Sequence, residues 1–228
     1  LMKVLTWNCN LKFKEKFELV NSYDPDICFI QECEKLKSDF FPKYKYFWTG
    51  RNEKKGLGVL TKKDDFFVDE CHNKDLINFI PIKSDNLKLL GVWSFNHRAS
   101  KFGSNVSGNT IDAINFYRDW FGNDNEKCIV AGDFNNSIIW DKKGNDNNFN
   151  NINDHFLDLG FVSNYHKLEG ESFGKESSAT FFHTKMESKK YHIDYIYSKN
   201  LNPLELKVGS YSEWISYSDH SPLFAKLG

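Results

Sequence analysis

The chain has 228 residues, 40% of them hydrophobic and 16% aromatic, with 21 Phe, which is enough apolar side chain for a sizeable core and excludes a disordered chain. Its 30 basic and 31 acidic residues leave a net charge of -1, so no global basic field advertises a nucleic-acid partner, although a locally basic face stays open. Five scattered cysteines with no CxxC pair build neither a zinc ribbon nor a disulfide framework; buried reduced thiols in a cytoplasmic protein are expected, and no run approaches the roughly 18 apolar residues of a membrane span.

In chain order, "KVLTWNCN" is a short buried-strand pattern that ends in polar residues. Phe13, Phe17, Leu19 and Val20 recur near helical spacing and predict a helix over 13–22. "YDPD" stops it, because Pro25 disfavours helical geometry at Asp24. "ICFIQEC" is a second strand, and further strands are predicted at "YKYFWTG", "LGVLTK", "NFIPIK" and "LKLLGVWSF". A helix is predicted from about Asn109 to Phe121, with Ile111, Ile114, Phe116, Tyr117, Trp120 and Phe121 as its apolar stripe. "KCIVAGDFN" reads as a strand and "HFLDLGF" as a short helix. "ATFFHT", "YHIDYIYS" and "HSPLFAKL" read as strands. Residues 141–154, "DKKGNDNNFNNIND", are almost all Asn, Asp, Lys and Gly. By composition they read as a flexible loop insertion that buries no core. No repeat or linker divides residues 1–228, so one α/β domain is expected, with two sheets face to face and helices outside.

Several apolar strands stop on residues that bind metal or phosphate. They end at Asn8 and Asn10, at Glu32, at Asn96 and His97, and at Asp133 and Asn135; Asp194 flanked by His192, and Asp219 with His220, complete the set. Taken singly, each suits a turn or a solvated loop. Asp194 is the exception, because it lies between Ile193 and Tyr195 inside an apolar strand, where an unpaired carboxylate is costly. Together they are hard ligands suited to Mg²⁺ or Mn²⁺. An acid that orients an imidazole adds a general base that can deprotonate water. Phosphoester hydrolysis needs that toolkit.

In order, "TWN", "QE", "GDFN", "HIDYI" and "SDHSP" resemble the endonuclease/exonuclease/phosphatase superfamily, of the exonuclease III, abasic endonuclease and deoxyribonuclease I kind. The motifs run from residue 6 to residue 222. The resemblance implies an α/β fold that is a four-layer sandwich, two mixed β-sheets packed face to face with helices outside. It implies Glu32 as the main metal carboxylate, with Asn8 and Asn10 beside it. Asp133 would polarise the attacking water, and Asn135 would orient it and contact phosphate. His220 would be base or transition-state stabiliser, held by Asp194 or Asp219, one of which also touches the metal. His97 would bind phosphate, a place that an alternative alignment gives to Trp93. Two departures stand out: Asn10 where repair enzymes often have Asp, and His192 where they commonly have Arg.

The substrate expected is DNA, single-stranded or abasic. Phe181, Phe182 and Tyr191 resemble an aromatic pocket for bases or deoxyribose, with His192 beside them. Arg98 and Lys101 suit backbone phosphates. The alternatives are a phosphatase or phosphodiesterase of a small phosphorylated molecule, such as a nucleotide or phosphoinositide, and an inactive binding module on the same fold. A monomer without membrane contact is expected.

Overall fold

The apolar runs become strands, and the polar residues that close them gather at one end of two sheets. The computed structural model describes residues 1–95, 109–122 and 124–228. In its first half lie β1 (Met2–Asn8), α1 (Phe13–Asn21), β2 (Ile27–Cys33), β3 (Lys45–Asn52), β4 (Lys55–Thr61), β5 (Phe67–Val68), β6 (Phe79–Lys83), β7 (Lys88–Trp93) and α2 (Thr110–Phe116). The second half adds β8 (Cys128–Asp133), α3 (Phe149–Asp158), β9 (Val162–Ser163), α4 (Asn164–Glu169), β10 (Phe181–Phe182), β11 (Lys190–Tyr191), β12 (Asp194–Lys199), β13 (Pro203–Val208), α5 (Tyr211–Trp214) and β14 (Leu223–Leu227).

The first sheet has the order β13-β14-β1-β2-β4-β3, and the second β5-β6-β7-β8-β12-β9. Each contains one parallel pair, β1 with β2 and β7 with β8. Parallel neighbours end together, so β1 finishes at Asn8 and β2 at Cys33, just past Glu32, while β7 and β8 finish at Trp93 and Asp133. Strand β12 runs back antiparallel, with Asp194 opposite Asp133. Strand β14 does the same beside β1, which brings its leading residues, His220 and Ser221, to that end.

Period-two alternation sorts the side chains into layers. Val4, Phe29 and Val59 of the first sheet meet Ile80, Leu89, Ile129 and Ile196 of the second. On the outer face of the first sheet, Leu5, Trp7 and Ile30 pack on Phe13, Phe17 and Val20 of α1. On the outer face of the second, Leu90, Val92 and Val130 pack on Ile111 and Ile114 of α2 and on Phe149, Ile152 and Phe156 of α3. The result is the expected α/β sandwich of two mixed sheets with helices outside.

Residues 141–154 correct their expectation. Helix α3 begins inside them, and Phe149 and Ile152 are fully buried. Asp141 starts the helix, its carboxylate accepting hydrogen bonds from the backbone N–H groups of Phe149 (2.6 Å) and Asn150 (3.0 Å). Composition hid what spacing shows: Phe149, Ile152 and Phe156 fall at i, i+3 and i+7, one helical face, while Asn150, Asn151 and Asp154 face outward. The predicted helix 109–121 is shorter, α2 ending at Phe116, which is 51% exposed. Its start is set by Asn109, whose side chain accepts from Ile111 N–H. Strand β13 and helices α4 and α5 had no counterpart in the sequence reading. No helix among the described residues is long and apolar enough to cross a membrane.

Phe149→Ala should cost about 3–5 kcal/mol of stability, the usual loss for a fully buried Phe. Urea unfolding followed by circular dichroism reads it; a change below about 1 kcal/mol would return this stretch to a surface loop.

Candidate active site

Asp133 is placed by the glycine before it. Gly132 has φ 153°, and a Cβ there would lie 1.8 Å from the Val92 carbonyl oxygen. Only glycine lets β8 approach β7 so closely one residue before the carboxylate. Asp133 is fully buried. Its Oδ1 accepts from Asn135 N–H at 2.8 Å; its Oδ2 accepts from Asn135 Nδ2 at 2.9 Å and from Asn8 Nδ2 at 3.0 Å. Asn135 can turn back because it adopts a left-handed conformation, φ 47°, which Asn tolerates. Its Nδ2 also donates to the Ser94 carbonyl. Asn8 accepts from Asn10 N–H on the same side chain that donates to Asp133, so the end of β1 is tied to the end of β8.

His220 arrives from the other sheet. Ser218 Oγ donates to the Asn8 carbonyl at 2.7 Å and accepts from His220 N–H at 3.0 Å. Trp7 Nε1 donates to the His220 carbonyl at 3.0 Å. Held on both sides, His220 donates from Nδ1 to Asp194 Oδ2 at 2.9 Å and keeps Nε2 3.9 Å from Asp133 Oδ2. The sequence left open whether Asp194 or Asp219 supports the imidazole; Asp194 does. The Asp219 carboxylate makes no hydrogen bond or ion pair among the described residues, while its carbonyl accepts from Phe182 N–H.

One threonine fixes both partners. Thr180 Oγ1 accepts from Ile193 N–H (3.0 Å) and Asp194 N–H (3.1 Å), and its carbonyl accepts from Ser221 N–H (2.8 Å). Thr180 is fully buried and so clasps the start of β12 in one sheet to the approach of β14 in the other.

Burial works against charge on His220, but the adjacent Asp194 and Asp133 carboxylates outweigh it and hold the imidazole up to about 10. Burial, and then the charge of Asp194, push Asp133 up to about 7. Ligand atoms of Asp133, Asp194 and His220 all lie within 4.8 Å of one another. Asp194 Oδ1 is buried with no hydrogen-bond partner among the described residues. Native proteins seldom leave such an oxygen unpaired, and an oxygen-rich donor set with one orphaned carboxylate oxygen fits a hard divalent cation.

The remaining expected residues divide. Glu32 sits at a bulge between Gln31 and Cys33 with φ 58°, and its carboxylate pairs with Lys55 Nζ at 3.0 Å, outside the Asp133–Asp194–His220 group. Asn10 begins a left-handed run through Lys12, and its amide touches none of the three among the described residues. Phe181 bridges His220 in backbone register, its ring 4.7 Å from the imidazole. Tyr191 lies beside Phe181, 6.3 Å between centroids. The sequence reading missed Trp140, which continues this shelf 5.0 Å from Tyr191. Phe182 instead is buried against Tyr211. Two expectations are corrected. Trp93 is only 6% exposed and belongs to the core between the sheets, so it offers a substrate almost no surface. His192 is 4% exposed; its Nδ1 pairs with the Ser178 carbonyl and its ring packs between Tyr165 and Tyr195. Alternation along the chain turns His192 inward, away from the shelf that Tyr191 joins. His97, Arg98 and Lys101 lie outside the described residues. Thr180 had no local signal, since it acts on residues distant in sequence, while Trp7 and Ser218 lie in the motifs but their hold on the His220 backbone is decided across strands.

The model of the Endonuclease/Exonuclease/phosphatase family matches residues 5–220. The chain belongs to the endonuclease/exonuclease/phosphatase family. Enzymes of this family are phosphoester hydrolases that depend on divalent metal. No curated protein matches the sequence. Among solved structures the chain is similar to the Neisseria 3′ phosphatase NExo bound to product DNA hairpin, at 19% identity and TM-score 0.74, with 100% of each chain covered. It is similar to the 3′-5′ exonuclease NExo of Neisseria meningitidis, at 19% identity and TM-score 0.72, over 99% of each chain. It is also similar to an AP endonuclease from Archaeoglobus fulgidus, at 15% identity and TM-score 0.72, over 99% of each chain. At these identities the likeness is one of fold, and it covers the whole endonuclease/exonuclease/phosphatase sandwich.

Thr180→Val keeps the shape but strips the acceptor from two buried N–H groups. It should cost about 2–3 kcal/mol in urea unfolding, and Thr180→Ser should recover most of it; a Val variant as stable as wild type would remove the clasp. The pH dependence has a definite sign. His220 binds its proton more tightly folded (about 10) than at its ordinary value of 6.5, so its stabilisation is complete below pH 6.5 and is lost as pH rises through about 10. In EDTA, the Tm of wild type should fall across that window and His220→Asn should flatten the fall. Parallel curves for the two proteins would contradict the assignment.

Proposed function

We propose that this protein is a divalent-metal-dependent phosphodiesterase that hydrolyses DNA. The observation that carries the reading is the buried Asp133 facing an imidazole that Asp194 holds charged, with the Phe181–Tyr191–Trp140 shelf against it. Glu32 and the orphaned Asp194 Oδ1 would hold the metal, with Asn8 positioning Asp133 and Asn10 and Asp219 at the rim. Bound there, Mg²⁺ or Mn²⁺ neutralises phosphate charge and polarises the phosphoryl oxygens.

The chain's own groups supply the rest. Asp194 and Asp133 raise the proton affinity of His220, which suits it to donate from Nε2 to a phosphoryl oxygen and stabilise charge there. Asp133, whose carboxyl is pushed up by burial and the charge of Asp194, is the group suited to take a proton from water. Both protons of the Asn135 amide are engaged with Asp133 and Ser94; its Oδ1, without a partner among the described residues, accepts from the same water and orients it. Phe181 and Tyr191 give a face on which a base stacks. We assign His97 and Arg98 to phosphates of the strand. The DNA reading is supported by NExo, whose structure holds a product DNA hairpin.

A panel of abasic duplex, plain duplex, single-stranded DNA, 3′-phosphorylated DNA, RNA and phosphoinositide, each with Mg²⁺ and Mn²⁺, tests this. Turnover of a DNA substrate that EDTA abolishes is expected. Cleavage confined to RNA or phosphoinositide, or insensitivity to EDTA, would defeat the proposal. Within the same assay, His220→Ala should lose about 2–4 kcal/mol of transition-state stabilisation while the fold survives, and Glu32→Gln should raise the Mg²⁺ requirement.

A further inference from the structure

Glu32, the carboxylate assigned to the metal, already holds a cation. Lys55 Nζ lies 3.0 Å from Glu32 Oε2. Glu32 stands near the end of β2 and Lys55 opens β4, which are antiparallel neighbours with Cys33 opposite Gly56, so the pair straddles the site end of the first sheet. The same ammonium lies 5.5 Å over the Trp93 ring, and Trp93 is in register with Asp133 in the second sheet. A single lysine therefore reaches from the metal carboxylate of one sheet to the strand end beside the water-handling carboxylate of the other. Its side chain is 42% exposed, against 19% for Glu32, so it has solvent to swing into. The reach of the four-carbon stem suits such a move, as does a compact ammonium free of the geometric demands of a guanidinium.

We propose that Lys55 is the resident counter-ion of Glu32, displaced when the metal binds and then turned to a phosphate of the substrate. This rests on the metal-dependent reading above. A divalent ion on Glu32 and an ammonium about 4 Å away repel, so one must leave, and the lysine is the mobile one. The pair keeps Glu32 neutralised while the site is empty and lowers metal affinity. Incoming phosphate gives the released ammonium a new partner. Metal and substrate then bind with positive coupling, each favouring the state in which Lys55 has left Glu32.

Mn²⁺ binding to the full chain by electron paramagnetic resonance, without substrate, tests the first half. Lys55→Met should bind Mn²⁺ about tenfold more tightly than wild type, the scale of removing one adjacent like charge. Lys55→Arg, which keeps the charge, should stay near wild type and guards against a general repacking effect. Binding of a non-hydrolysable phosphorothioate DNA strand in the presence of Mn²⁺ tests the second half. Lys55→Met should bind it more weakly, with the slope of log affinity against log salt reduced by about 1. Unchanged Mn²⁺ affinity in Lys55→Met, or an unchanged salt slope, overturns the role of Lys55. Wild type that binds no Mn²⁺ overturns the metal reading itself, which separates the two failures.

Discussion

Two carboxylates, Asp133 and Asp194, are buried directly opposite each other at the end of the second sheet. Buried like charges at that range repel strongly and are poorly solvated. The arrangement survives only because a third charge of opposite sign is brought to both of them. That charge is His220, and it comes from the first sheet. The sandwich is thus held to a tolerance set by a hydrogen bond: if the sheets slid, the imidazole would leave Asp194 and two carboxylates would stand uncompensated. Removing His220 leaves two buried carboxylates facing each other, so the imidazole is the member on which the other two depend.

The cross-sheet ties make sense in that light. Asn8 joins the end of β1 to Asp133, Trp7 and Ser218 hold the His220 backbone, and Thr180 clasps β12 to the approach of β14. Each satisfies buried polar groups that the sheets leave open, so the links that orient the site also remove desolvation costs. The preorganised dipoles that would favour charge development at a phosphate are in this way part of the fold's own polar accounting. Lys55 on Glu32 extends the same logic to the first sheet, since it neutralises an acidic group at that end.

Strand identities were legible because apolar runs with β-branched and aromatic residues admit few other readings. The site's carboxylates were legible because each closes or interrupts such a run, as Asp194 does between Ile193 and Tyr195. Helix α3 was legible only in its second half, at "HFLDLGF", since the Asn-rich composition of its first half outweighed the spacing of Phe149, Ile152 and Phe156. His192 and Trp93 were misread for a related reason. Proximity to a motif says nothing about which way a side chain faces, and a one-residue step in a strand reverses it. Trp140 joins Tyr191 only through a fold that brings residues 51 positions apart together, which no local pattern encodes.

By itself the sequence determined the sandwich, its metal-suited acids and its imidazole, because hydrophobic period and the cost of burying charge are local properties of the chain. Only the tertiary structure decided which acid serves His220, that two carboxylates raise its proton affinity, that Thr180 fixes the pair, and that Lys55 occupies Glu32. Those are distances between strands of different sheets, and a distance across a core is set by packing rather than by any one segment.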